Sequence, residues 1–164
     1  CSCSRGSCTT DQTIRGIRCT GGCASMRLFT DDAWAVATIW QEAQGEGYAG
    51  MLAVAEVIWR RTCKKYASDG TVVDTCLKPY QFSGWNSKSP LRTRAALLDD
   101  DDRIVAQCKR AWRQVWEQGS HTTLGAVLYH ADTLPKPWPA WATDEAFIVQ
   151  IGHHRFYQGE NDPP

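Results

Sequence analysis

This 164-residue chain has no net charge, no long apolar run and almost no methionine. Its 18 lysines and arginines are balanced by 18 aspartates and glutamates, so it lacks the basic surplus that nucleic-acid binding usually needs. No apolar stretch approaches the roughly 20 residues of a membrane-spanning helix. Neither of its two methionines stands at position 1, and we expect the chain to start after processing or trimming. Also absent are a G-x-S-x-G nucleophile elbow, a phosphate-binding loop, an H-E-x-x-H zinc motif and a dinucleotide fingerprint, which removes the enzyme classes built on them.

Hydrophobic residues make up 43% and charged residues 22% of the chain, close to globular averages. A chain of this length can bury about 70% of its unfolded surface. Eight tryptophans and eight cysteines are the unusual features. Five of the cysteines (Cys1, Cys3, Cys8, Cys19 and Cys23) fall in a segment rich in Ser, Thr and Gly, while Cys63, Cys76 and Cys108 lie in the body. Residues 1–25 therefore read as a cysteine-rich arm that cannot build a core alone, and residues 26–164 as the folded domain. An even count suits disulfides in an oxidising compartment, and full pairing would require at least one arm-to-body bridge. The spacing C-x-C-x4-C-x10-C-x3-C is not the paired C-x2-C of a structural zinc site. Acylation of Cys1, as in bacterial lipoproteins, is a further use, and it would strand one thiol.

Periodicity predicts a helix from about Asp31 to Gln44, with Thr30 as an N-cap whose side chain accepts from orphan amides and Gly45 and Gly47 at its end. A second helix is predicted over Tyr48–Lys65, where Met51, Leu52, Ala55, Ile58 and Trp59 recur at helical spacing. Residues 66–94 read as turns with a short strand at Val72-Val73. A third helix runs from Asp99 to Gln118, its aspartate run being a carboxylate-rich start and not a calcium loop. Strands are predicted at Ala126–Tyr129 and Ala146–Ile151. The fold class is α+β: a helical domain with a small strand-bearing lobe.

The segment Glu42-Ala43-Gln44-Gly45-Glu46-Gly47 draws attention. A carboxylate in the last turn of the first helix faces the negative end of the helix dipole and partial burial, and both disfavour ionisation. An acid kept protonated near neutral pH is what cleavage of a glycosidic bond requires. A solvated glutamate at a helix end is the plainer alternative. Trp34, Trp40, Trp59, Trp112 and Trp116 sit at core-like helical spacing, whereas Trp85, Trp138 and Trp141 lie in loops, where they can stack on sugar rings or anchor the loop.

The string Ile39-Trp40-Gln41-Glu42-Ala43-Gln44-Gly45-Glu46, followed by Gly50 and Ala53-Val54-Ala55-Glu56-Val57-Ile58-Trp59-Arg60-Arg61, resembles the SleB-type cell-wall hydrolase family. Arg60 stands where that family usually has Asn. Three further blocks agree in order: Val73-Asp74-Thr75-Cys76 leading to Gln81-Phe82-Ser83, Gly125 to Ala131, and Pro137-Trp138 leading to Ile151 through Tyr157. The resemblance covers about Thr30 to Tyr157 and leaves the arm without a counterpart.

The resemblance implies a lysozyme-like α+β fold that cuts the glycan strand of peptidoglycan, with Glu42 matching the catalytic acid. The implied reaction is lytic transglycosylation of the MurNAc–GlcNAc bond, leaving a 1,6-anhydro-MurNAc end and using neither metal nor cofactor. It needs one carboxylate where most glycosidases use two, and no clear second acid stands beside Glu42, since Glu46 lies beyond Gly45. Glu46, Gln81, Ser83, Tyr129, His130 and His154 are expected in the cleft, orienting the sugars or tuning Glu42, with structural hydrogen bonding as the alternative. Phe82, Phe156 and Tyr157 are expected to pack. Three other readings stay open: a water-using muramidase, a non-catalytic peptidoglycan-binding or virion module, and a zinc amidase or peptidase on His130, His153 and His154. Substrate and cysteines together place the protein outside the cytoplasm: in the envelope, secreted, or on a phage particle.

Overall fold

The structure, a computed structural model, describes residues 30–159. The expected arm at 1–25, with its bridges and any acylation of Cys1, lies outside the described residues. Within the body, Cys76 and Cys108 are wholly buried and carry free thiols. The four-bridge scheme that would use all eight cysteines is therefore not what the fold contains.

Three long helices build the larger lobe: α1 (Asp31–Ala43), α2 (Gly47–Lys64) and α5 (Arg103–Gln118). They pack on one another around Ile39, Trp40, Met51, Val54, Ile58, Val105 and Trp112. Trp112 also donates its indole N–H to Asp32 Oδ1 at 2.7 Å, pinning α5 to the start of α1. Helix α2 is apolar on two sides. Met51, Val54 and Ile58 face the other helices, while Ala53 and Val57 join a second cluster with Ala126 and Phe156 under the sheet. A helix apolar over so much of its circumference must lie inside the molecule.

The helix ends follow local chemistry. Asp102 caps α5 by accepting from the amides of Ile104 and Val105, so the helix starts four residues later than Asp99. Thr30 occupies the N-cap of α1 with no side-chain bond, contrary to expectation; its carbonyl accepts from Ala33 and Trp34. The predicted strand at Val72-Val73 is instead the start of α3 (Val72–Leu77). Thr71 accepts from the amide of Asp74 there, and that cap outweighs the strand preference of two valines. A further short helix, α4 (Pro90–Ala95), has Ser89 as its cap and proline in its first turn.

Three antiparallel strands, β1 (Leu128–Ala131), β2 (Phe147–Ile151) and β3 (His154–Tyr157), form a sheet in the order β1-β3-β2. The stretch expected merely to trail the second strand is thus the central one. Strand β1 begins later than expected, and just before it Arg61, buried in α2, donates to the carbonyl of Val127 at 2.6 Å. Register sets Tyr129 opposite Phe156 and Ala131 opposite His154. Since side chains alternate between faces, Tyr129, His154 and Phe156 share one face, while His130, Arg155 and Tyr157 share the other.

Among the tryptophans, Trp116 departs from the expected core packing. Trp116 is 54% exposed, leaning on Trp59 with ring centroids 4.5 Å apart. Trp85, although in a loop, packs edge-on against Trp34 at 5.2 Å and donates to Thr38 Oγ1 at 2.8 Å. Trp138 and Trp141 flank His130 on the outer face of the sheet, which makes them anchors of the loop.

Candidate active site

Glu42 sits in the last turn of α1, half-buried, where the helical lobe meets the sheet. Its Oε2 accepts the Tyr129 hydroxyl at 3.0 Å. Its Oε1 accepts the Gly84 amide at 3.3 Å, with the exposed Ser83 hydroxyl at 3.5 Å. Donors from the sheet and from the loop after α3 therefore hold the two oxygens from different sides, and the carboxyl plane is fixed. The burial expected at Glu42 is partial, and its Oε1 side opens onto Ser83.

Each donor is placed by its own local structure. Ser83 and Gly84 belong to a single 3-10 turn, Ser83–Trp85, that lies against α1. Gly84 is the residue that permits this approach: a Cβ there would collide with the Gln41 side-chain amide and sit 2.9 Å from its Cβ. Tyr129 is set by the sheet, its ring tilted on Phe156 at 5.4 Å and edge-on to His154 at 4.9 Å. Burial, reinforced by the neighbouring Glu42, pushes the Tyr129 phenol well above its ordinary range, so it remains a donor at any working pH. Behind Tyr129 lies Arg61, whose guanidinium stacks 5.0 Å from the Phe82 ring. Burial lowers its pKa, opposed by the nearby Tyr129, Tyr66 and Glu42. This leaves a buried cation at the rear of the site.

Glu46 is drawn to the same corner for a different purpose. Its Oε2 accepts the amide of His153 at 2.7 Å, tying the α1–α2 turn to the β2–β3 turn. Gly152 allows the approach, since a Cβ there would strike the Glu46 carboxylate. His154 is buried beside Tyr129 with its Nδ1 unpartnered. Burial lowers the His154 pKa below 6.5, against the opposing pull of Glu46, Glu42 and Asp132.

Glu42, Ser83 and Tyr129 thus converge, with Glu46 and His154 alongside. Gln81 is half-buried two residues before Ser83, and its backbone amide bonds to Lys78. His130 does not join them. It projects from the opposite face, where Nε2 meets the Tyr157 hydroxyl at 2.9 Å and Nδ1 the carbonyl of Ala131 at 2.8 Å. The alternation of a strand makes it impossible for adjacent Tyr129 and His130 to share one cleft. The same geometry separates His130 from His154, and among the described residues no group of three or more His, Cys, Asp or Glu could hold a metal ion. Phe82, Phe156 and Tyr157 are buried packing residues as expected. Gly84 and Arg61 escaped the sequence reading, because a backbone amide and a buried guanidinium carry no motif of their own.

The family model described as Cell Wall Hydrolase matches residues 45–157, a segment that begins just after Glu42. Among solved structures, the chain is similar to the catalytic domain of the germination-specific lytic transglycosylase SleB from Bacillus anthracis. That match has 24% identity and a TM-score of 0.61, and covers 80% of this chain and 98% of that one. It is also similar to the catalytic domain of the Bacillus cereus SleB protein, with 25% identity, a TM-score of 0.59 and coverage of 78% and 90%. No curated protein matches the chain.

Proposed function

The chain belongs to the cell wall hydrolase family, and from that premise we propose that it cleaves the glycan strand of peptidoglycan as a lytic transglycosylase with Glu42 as both acid and base. The observation that carries this reading is the fixed Glu42 carboxyl, its Oε2 held by Tyr129 and its Oε1 held by Gly84 beside the exposed Ser83. Glu42 gives its proton to the oxygen linking MurNAc to GlcNAc as the C1–O bond breaks. The resulting carboxylate then takes the proton of the MurNAc 6-hydroxyl while that oxygen closes onto C1. The proton is returned to Glu42, no water is consumed, and a 1,6-anhydro end is left.

Tyr129 and Gly84 stabilise Glu42 while it is ionised, between the two proton transfers. Ser83 can reverse from donor to acceptor as Glu42 regains its proton. Glu46 is committed to the amide of His153, which supports a single-acid mechanism over a carboxylate pair. His154, Ser83 and Gln81 would orient the acetamido sugars at the rim. Metal and cofactor have no part in the reading. Such a substrate places the work outside the cytoplasm.

The test is mass spectrometry of soluble muropeptides released from purified peptidoglycan by the wild type and by Glu42→Gln. Anhydro-MurNAc products that vanish in the variant are expected. Reducing ends, heavier by one water, would replace this reading with that of a muramidase. No release from several peptidoglycan sources would favour a binding module.

A further inference from the structure

The turn that holds Glu42 has a second side. Ser83 and Gly84 face the carboxyl, but Trp85, the third residue of the same 3-10 turn, lines a separate groove of about 750 Å³ between the end of α3 and the start of α4. Trp34 and Trp85 form an aromatic wall. Lys78, Lys88 and Arg92 supply three exposed cations, and among the described residues no Asp or Glu lines the groove.

Tyr80 stands at the lip with 90% of its surface exposed and its backbone at φ +68°. That region is costly for a bulky side chain, and such strain tends to persist at functional sites. Here it holds an aromatic ring in solvent, where nothing in the fold of the core requires one. Three cations, an aromatic wall and an aromatic lip call for a ligand that is both anionic and partly apolar.

We propose that this groove binds the acidic stem peptide carried by the glycan strand, so that the enzyme acts preferentially on peptide-bearing saccharides. The inference rests on the function proposed above. A strand lying on Glu42 passes the turn at Ser83–Trp85, and the peptide leaving its lactyl ether enters the groove on the far side. Its carboxylates meet Lys78, Lys88 and Arg92. Its small apolar residues lie along Trp85 and Tyr80. The three cations, which a neutral bare glycan would leave unmatched, favour the stem peptide as the groove's occupant.

Two measurements test this. The first compares kcat/KM on intact strands with that on strands stripped of peptides by an amidase. The wild type should favour peptide-bearing strands by about tenfold, and a Lys78→Gln, Lys88→Gln, Arg92→Gln triple variant should bring the ratio near one. Added salt should shrink the wild-type advantage, because the contacts are exposed. A wild-type ratio near one, or a ratio unchanged in the triple variant, would overturn the proposal.

The second measurement titrates Glu42→Gln with a soluble disaccharide-peptide and with the same ligand after amidation of its carboxylates. About tenfold weaker binding of the amidated form is expected, and equal binding would sink the proposal even if the triple variant failed to fold. The two readings fail separately. A wild type that cuts neither kind of strand yet binds the acidic ligand would remove the transglycosylase and keep the groove. Tighter binding to strands bearing phosphodiester polymers in place of peptides would reassign the groove to a wall polymer.

Discussion

At Glu42 one carboxyl group takes donors from a strand and from a loop, and the two make separable contributions. Tyr129→Phe keeps the ring on Phe156 and His154 but deletes the 3.0 Å hydrogen bond to Oε2. We expect kcat to fall by about 10²-fold with KM little changed, and stability to fall by about 1 kcal/mol. Steady-state kinetics beside urea titration would show this, and a KM effect with kcat intact would assign Tyr129 to binding instead. His154 carries a pH signature. Its pKa lies below 6.5 in the folded protein because burial penalises the imidazolium. The unfolded chain therefore holds that proton more tightly, and stability is lost as pH falls below about 6.5 toward the lower folded value. The stability gap between wild type and His154→Gln should narrow on going from about pH 7 to pH 5. A constant gap would show that His154 does not titrate in that window.

At the scale of the element, caps decide where helices begin. Asp102 satisfies two amides of α5, a helix that lies against both α1 and α2. Asp102→Ala should cost about 1 kcal/mol and lower the melting temperature by about 4 °C, as read by thermal denaturation; an unchanged midpoint would place the true cap elsewhere. Caps also explain what was legible in the sequence. Helices α1, α2 and α5 announced themselves through long apolar periods. The short helices α3 and α4 have no room for a period, and their only signals were Thr71 with Asp74 and Ser89 with Pro90. Strand β3 was missed because a central strand reads as a continuous mixed run, here H-R-F-Y. In the site, Glu42, Ser83 and Tyr129 were named from sequence, whereas His130 was misplaced. A motif orders residues along the chain, and only the pleat decides which face each one takes.

Across the whole molecule, side chains from the helical lobe reach over to hold the β lobe. Arg61 takes the carbonyl of Val127, Glu56 the amide of Thr123, Glu46 the amide of His153 and Glu42 the hydroxyl of Tyr129. The candidate active site therefore lies on the seam that these four contacts close. The interior around α1 is tight enough to silence its thiols: burial pushes both Cys76 and Cys108 up to about 12. Thiolate is then scarce at neutral pH, so both should resist alkylation in the native protein and react once it is unfolded in guanidinium. Rapid native labelling of either, followed by peptide mass spectrometry, would show that the lobes open.

The sheet order β1-β3-β2 has a consequence for how the chain comes off the ribosome. Strands β1 and β2 are both made before β3 and do not pair with each other; each finds its partner only in residues 154–157. Until those residues emerge, the sheet that sets Tyr129 over Glu42 and the β2–β3 turn that brings the His153 amide to Glu46 are both incomplete. Helices fold early from local contacts, whereas strands that wait on distant partners fold late. The seam that holds the candidate site is thus the last part of the domain to be assembled, and it closes only when residues 154–157 join the sheet.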